Sequence, residues 1–417
     1  MHPSPSGKQL ERVADGARRR TSASAVMRTI LENGPVARSS IARRTGLSPA
    51  SVTGHCAQLA RLGLLREAPE ALRTNGVGRP HIPVDLDDSR FLAGGVHVAV
   101  PYTTVALLGL RGQVVAQRRL THHDGTAGTG DGTGPGRILA NAAQGLGALL
   151  AARGPGTTLL GVGLATGGWV DRAQGTVVEH PMLGWRDVAA SDLLGGLTGL
   201  PVHVDAHSRA LANGERLFGI TRGDRSSLHL FIGNVVDAAF ATGDGVHHGP
   251  RSQAGAIAHL PVERGTVACP CGRTGCLQAE VSEQTLCRRA YEAGIVPAPS
   301  DPLLVLAAAE AGDRRAVRLL LERARLVGRA AALLLDVLNP DTVVITELGV
   351  IHRQDCLAAL REEVAARTSA VVDVERTVVP TSFPAEEILA VAGGSVALDV
   401  LYRDPLGVLE SVTGDCH

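Results

Sequence analysis

Residues 91–120, FLAGGVHVAVPYTTVALLGLRGQVVAQRRL, hold three runs rich in Val, Leu and Thr, broken at Pro101 and again at Arg111-Gly112. Aliphatic and β-branched runs of this length, bounded by turn formers, read as three strands in succession. A helical stretch follows, GRILANAAQGLGALLAARG (136–154), and then LLGVGLAT (159–166), a continuous apolar run of the kind that fills a strand buried on both faces. The order then returns. LHLFIGN (228–234) and DAAFATGDGVHHG (237–249) read as strands, and AVRLLLERARLVGRAAALLLDVLNPDTVVIT (316–346) as a long helix running into another strand.

Three strands, helix, strand, helix, met twice, predict an α/β body of the duplicated ribonuclease-H-like plan used by actin and the sugar kinases. The chain has 417 residues, enough for two or three domains, and only 2% aromatic residues, so Val, Leu, Ile and Ala must build the cores. The expected divisions are a basic tail (1–20), a head (21–88), a first α/β subdomain (89–200), a second (201–400) and a C-terminal tail (401–417). Neither a membrane-length apolar run nor an N-terminal apolar signal is present, which predicts a soluble, cytoplasmic protein. The Gly/Thr-rich HHDGTAGTGDGTGPG (122–136) lacks the Lys and the strand-loop-helix setting of a phosphate-binding loop, so it reads as a surface insertion.

Formal charge is balanced, 41 Lys and Arg against 41 Asp and Glu, but it is unevenly spread: residues 1–80 carry 13 and 5, net +8, which leaves −8 on the rest. A basic head on an acidic body is the electrostatic footprint of nucleic-acid binding. The pattern inside the head agrees. SASAVMRTILENGPV (22–36) reads as a helix stopped at Asn33-Gly34-Pro35, and residues 37–65 as a short helix, a turn at Gly46, and a second helix with Ser48 at its N-cap and Pro49 in its first turn. Val52, Cys56 and Leu59 share the inward face of that second helix, while Ala50, Ser51, Gly54, Gln58 and Arg61 face outward, as in a helix-turn-helix whose second helix enters the major groove. Residues 62–86 continue as strand, loop and strand, a wing. Ser51, Thr53 and Gln58 are the candidate base-edge contacts, Arg61 the candidate phosphate contact, and Arg73 and Arg79 the candidate wing contacts to phosphate or minor groove.

HLPVERGTVACPCGRTGCLQAE (259–280) gathers His259, Cys269, Cys271 and Cys276 in a chain with seven cysteines. In a reducing compartment such a cluster points to metal more than to disulfides. A C-x-C pair, a glycine turn and a third cysteine form a knuckle, and His259 completes a Cys3His set suited to structural Zn2+ with no open coordination position. Cys56, Cys287, Cys356 and Cys416 read as ordinary buried or terminal thiols.

A winged helix-turn-helix, a duplicated α/β body, AGAIAH (254–259) and CPCGRTGCLQ (269–278) together resemble the ROK family (repressor, open reading frame, kinase) over nearly the whole chain. That family holds sugar kinases without a DNA-binding head and sugar-responsive transcription factors with one, and the resemblance implies the second sort. The family's phosphate motif D-x-G-G-T falls here on HVAVP (97–101), G-T-G-x-G on GNVVD (233–237), and the adenine-side glycines on Thr346 and Glu347. The catalytic Asn-Asp pair falls on Ala206 and His207, the sugar-contacting Asn on Met182, and two sugar-site glutamates on Ala256 and Gln278. The expectation is therefore a transcriptional regulator, a repressor of carbohydrate metabolism and not an enzyme, bound to a palindromic double-stranded DNA operator as a homodimer or homotetramer. A sugar or sugar-phosphate effector would have to use Asp205, His207, His259 and Gln278. The competing expectation is a kinase that phosphorylates hexoses with ATP.

Overall fold

The computed structural model describes residues 21–71, 82–122, 134–243, 245–299, 301–370 and 372–413. The head consists of helix α1 (21–33), α2 (Arg38–Thr45) and α3 (Pro49–Arg61), followed by the antiparallel pair β1 (Leu65–Glu67) and β2 (Val84–Leu86). Val26, Met27, Ile30, Ile41, Val52, Cys56 and Leu59 are all buried in one core, so the spacing that predicted three helices also closes them on each other. The tip of the wing, 72–81, lies outside the described residues.

The first lobe runs β3 (Phe91–Val98), β4 (Tyr102–Leu108), β5 (Val114–Thr121), α4 (Pro135–Ala151), β6 (Thr158–Thr166), a small sheet of β7 (Trp169–Asp171), β8 (Thr176–His180) and β9 (Trp185–Val188), then α5 (Ala190–Thr198) and β10 (Val202–Ala206). The second runs α6 (His207–Leu217), β11 (Ser226–Ile232), β12 (Val236–Thr242), β13 (Gly245–Val246), α7 (Leu277–Val281), α8 (Glu283–Glu292), α9 (Pro302–Glu310), α10 (Arg314–Leu338), β14 (Thr342–Glu347), α11 (Leu348–His352), α12 (Gln354–Arg367), α13 (Val374–Thr377) and β15 (Val378–Pro380). The chain ends in α14 (Ile388–Arg403) and α15 (Pro405–Thr413). The two main sheets have the same order, β5-β4-β3-β6-β10 and β13-β12-β11-β14-β15, with the first three strands of each antiparallel to one another and the last two added in parallel. The duplication predicted from the strand pattern is thus present. Most of the Gly/Thr-rich insertion (123–133) lies outside the described residues.

Two expected boundaries are corrected. β10, at 202–206, is the fifth strand of the first sheet, so a division at 200/201 cuts through that lobe. α14 then returns to the first lobe and lies across β3, β4 and β6. The crossing is close because glycines meet: a Cβ on Gly95 would lie 2.6 Å from the Gly394 nitrogen, and one on Gly393 2.6 Å from the Val96 nitrogen. Gly393→Ala is expected to destabilise by about 1–3 kcal/mol through overpacking, read as a lower denaturation midpoint at unchanged m-value. The second correction concerns 401–417. It is not a tail, because Leu401, Tyr402, Leu406 and Leu409 form an apolar stripe at helical spacing that is buried in the same core as α1. Among the described residues no helix is long and apolar enough to cross a membrane.

Candidate DNA-binding head, cleft and metal centre

In the head, Gly46 takes φ +70° at the turn between α2 and α3, and Ser48 Oγ accepts from the Ser51 backbone N–H at 3.2 Å, so the cap fixes where α3 begins. Ala50, Thr53, Gly54, Ala57 and Arg61 are exposed on α3, while Ser51 and Gln58 are half-buried. Thr53 Oγ1 donates to the Pro49 carbonyl at 2.8 Å, which leaves it acceptor capacity only. Arg73 and Arg79 lie outside the described residues. The pattern reading missed two exposed basic groups, Arg43 and Arg44, in the last turn of α2; three arginines and no acid on one short helix was the available signal.

The head is bonded to the body. Ser24 Oγ donates to the Tyr402 carbonyl at 2.6 Å and Arg28 Nε to the same oxygen at 3.2 Å. Arg111, in the turn of the first lobe, pairs with Asp85 on β2 and lies 3.5 Å from Asp88. Movement in α14 therefore reaches α1 through hydrogen bonds as well as packing.

The cleft between the lobes is lined by histidines where a kinase would need carboxylates and bare glycine backbone. His97 on β3 is 2% exposed, and neither ring nitrogen has a hydrogen-bond partner among the described residues. It stacks parallel to His207, centroids 5.8 Å apart, and His207 in turn packs on Phe231 at 3.9 Å. His207 Nε2 and Asp237 Oδ1 sit 3.1 Å apart without the alignment of a hydrogen bond. His229 Nε2 meets Thr346 Oγ1 at 2.9 Å, and His180 Nδ1 accepts from the Leu183 N–H at 3.3 Å. Burial, reinforced by neighbouring histidines, holds His97 well below the usual imidazole range and takes His180 to about 4; burial also takes His229 to about 4. These rings are neutral at pH 7.

The remaining cleft positions are occupied by the protein's own contacts. Asp205, 1% exposed, accepts from Arg209 Nε at 2.6 Å and its neighbour's N–H at 2.8 Å on one oxygen, and on the other faces His248 at 3.2 Å and Arg172 at 3.5 Å. Burial works to raise its carboxyl, but Arg209, His248 and Arg172 outweigh it and hold it well below the usual range. Gln278 Oε1 accepts from the Val236 N–H at 3.1 Å. Glu347, on the adenine side of the kinase plan, pairs with buried Arg323 and caps α11 by accepting from the Val350 N–H at 2.7 Å. Arg323 also donates to the Val281 and Ile232 carbonyls, at 2.7 and 3.1 Å, so this pair is a strut between elements of the second lobe. Of the four expected effector residues, Asp205 and Gln278 are engaged, His207 is buried beside His97, and His259 stands in the cysteine cluster.

That cluster is assembled as its spacing predicted. The ligand atoms of His259, Cys269, Cys271 and Cys276 all lie within 4.8 Å of one another. Cys269 Sγ is 3.6 Å from His259 Nδ1, and Cys271 Sγ is 3.6 Å from Cys276 Sγ. A tetrahedral site with metal–sulfur bonds of about 2.3 Å has edges of about 3.7 Å, so the donor set fits a four-coordinate ion. Gly272 and Gly275, at φ +87° and +74°, supply the knuckle's turns.

A winged helix-turn-helix head on a duplicated sugar-kinase-like body, with buried histidines between the lobes and a cluster of one histidine and three cysteines, defines a class of regulator-like proteins built on a kinase frame. Residues 93–386 match the ROK family model, and the chain belongs to the ROK family. It is 32% identical over 402 residues to a protein of Mycobacterium tuberculosis named transcriptional regulator, covering 93% of this chain and 87% of that one. It is 24% identical to the xylose repressor of Caldicellulosiruptor bescii, over 82% of this chain and 87% of the repressor. Among solved structures, a ROK family transcriptional regulator homologous to the Escherichia coli MLC protein superposes with a TM-score of 0.76 at 21% identity, over 95% of this chain and 98% of the other, a likeness of fold.

Proposed function

We propose that the chain is a DNA-binding transcriptional regulator, a repressor of carbohydrate metabolism, whose body senses and dimerises but does not phosphorylate. The observation that carries this reading is the pairing of an exposed α3 face on a capped helix-turn-helix with a cleft in which histidines and internal ion pairs occupy the places of the kinase carboxylates and glycines. Phosphoryl transfer needs a base on the sugar hydroxyl and a backbone cradle for polyphosphate; His207 is buried and held between the His97 and Phe231 rings, and Asp237 sets a negative charge beside the would-be phosphates. The relatives' names as regulator and repressor point the same way. His259, Cys269, Cys271 and Cys276 would hold Zn2+, which supplies a closed structural link and no reactive position. Homodimers or homotetramers would place two α3 helices on a palindromic operator about one turn apart. Ser51, Thr53 and Gln58 would face base edges, with Arg61 on phosphate. A sugar or sugar phosphate is the proposed effector and the cytoplasm the proposed compartment.

Footprinting on the upstream region of the protein's own gene tests the reading. A protected palindrome is expected, and Arg61→Ala should weaken binding across sequences and lower the salt slope by about 1. Absence of any protected site at moderate salt, together with ADP release from ATP and hexoses at ordinary enzyme rates, would replace this reading by the kinase.

A further inference from the structure

Five arginines form a chain from the interlobe cleft to the face where α1 meets the body. Asp399 on α14 is fully buried and accepts from Arg216 Nη2 at 3.0 Å on one oxygen, and from Arg172 Nη2 at 3.0 Å and Arg403 Nε at 2.9 Å on the other. Arg172 continues to Asp205, which Arg209 already holds. Arg28 comes from α1, and the charges that act on it are Asp399, Arg403 and Glu32. Among the described residues these ion pairs join four guanidiniums, Arg172, Arg209, Arg216 and Arg403, to two carboxylates, Asp205 and Asp399, an excess of two positive charges, while Arg28 stands beside the exposed Glu32. His203 and His248 bring no further negative charge.

Uncompensated buried cations are costly, so a local excess of this kind calls for a counter-charge. The donors are also incomplete: Arg216 Nε is buried with no acceptor among the described residues. Burial, with Arg28 and Arg403, outweighs Asp399 and brings the Arg216 guanidinium down to about 10. Arg403, 40% exposed, gives the cluster a side open to solvent.

We propose that this cluster is a binding site for a small phosphate-class dianion, held between Arg28 of the head and Arg216 and Arg403 of the body. Two negative charges match the excess of two, and planar guanidinium forks match tetrahedral phosphate oxygens better than a single carboxylate would. The site lies at the joint with the head, and Arg172, which bonds both Asp399 and Asp205, links it to the interlobe cleft. Because Arg28 lies on α1, the bound anion ties head to body. Only that regulatory consequence rests on the DNA-binding reading; the site itself does not.

Thermal unfolding of the full chain in sodium phosphate against sodium chloride at matched ionic strength tests the site without any operator. Phosphate is expected to raise the transition by about 2–4 °C at concentrations where chloride leaves it unmoved. Calorimetric titration with inorganic phosphate should show at least tenfold weaker binding in both Arg403→Gln and Arg28→Gln. The two variants lie on different helices, and Arg403 is exposed enough to be replaced without loss of the fold. A lower half-saturation with glucose 6-phosphate than with inorganic phosphate supports the site and assigns it to an ester; the reverse order supports it and assigns the free ion. Equal shifts in phosphate and chloride, or phosphate binding undiminished in both variants, overturns the proposal.

Discussion

Replacing Cys276 by serine is expected to remove zinc from the protein and to unfold the second lobe at temperatures the wild type withstands. Cys276 is 2% exposed and stands at the N-cap of α7, so the ligand and the helix start are one residue. Leu277 and Val281 on that helix are buried in the main core of the second lobe. Glu280, between them, ties the knuckle back by accepting from the Thr266 and Val267 N–H groups at 2.5 and 2.7 Å and from Arg289 Nη2 at 2.8 Å. Loosening the knuckle therefore frees a helix and a buried carboxylate together. Structural zinc contributes about 10–16 kcal/mol in isolated fingers, against a whole-domain stability of about 5–15 kcal/mol. An ordinary buried thiol such as Cys356 would cost only about 1 kcal/mol on the same change. Metal analysis should give about one zinc per protomer in the wild type and near none in the variant, with a melting temperature lower by about 10 °C for a loss of several kcal/mol. A variant that melts with the wild type, or a wild-type protein free of zinc, refutes the structural role.

Much of this architecture is legible in the sequence because it rests on short-range patterns. Period-2 and continuous apolar runs gave β3, β4, β6 and β11, helical spacing gave α3 and α10, and cysteine spacing gave the metal cluster. What the sequence hid depends on distant partners. Asp205 could be read as a pocket residue because nothing local announces that Arg172, thirty-three positions away, and His248 will occupy its second oxygen. Leu406 and Leu409 looked like a tail because the helix that covers them, α1, lies at the other end of the chain. Likewise Asp399 is one acid in an apolar helix until the fold brings Arg172 and Arg216 to it from elements nearly two hundred residues earlier or more. Glycines at 95, 393 and 394 carry no periodic signal either, yet their missing side chains set the distance at which α14 crosses the sheet.

Acidification should weaken the protein well before its carboxylates are protonated. His180 and His229 titrate in the folded chain at about 4, and His97 well below its ordinary value, whereas in the unfolded chain each returns to about 6.5. Between those values the unfolded state binds more protons, so stability falls as the pH drops through 6.5 and goes on falling toward 4. The groups facing these rings do not reverse the sign: His207 adds to the depression at all three, and Glu215 and Asp237, which favour the charged form of His229, are outweighed by its burial. Asp205 and Asp399 are depressed, so their contribution is lost only below about 4, as the pH falls toward their folded values. In the window from 6.5 to 4 His203, likewise depressed by burial, adds to the loss, while Asp88 and Glu283, whose carboxyls burial raises, oppose it near its lower end, so the decline below 6.5 is set by the histidines. Each buried ring contributes a slope of up to about 1.4 kcal/mol per pH unit, and a shift of the size shown by His180 or His229 amounts to about 3 kcal/mol over the window. Melting temperatures measured from pH 8 to 4.5 should be level above 7 and decline steeply below 6.5. His229→Asn, which keeps a polar group opposite Thr346 but does not titrate, should flatten the decline by about one proton's worth. A profile level down to pH 5 would mean that the cleft admits charged imidazoles at His180 and His229, and that their burial does not hold in solution.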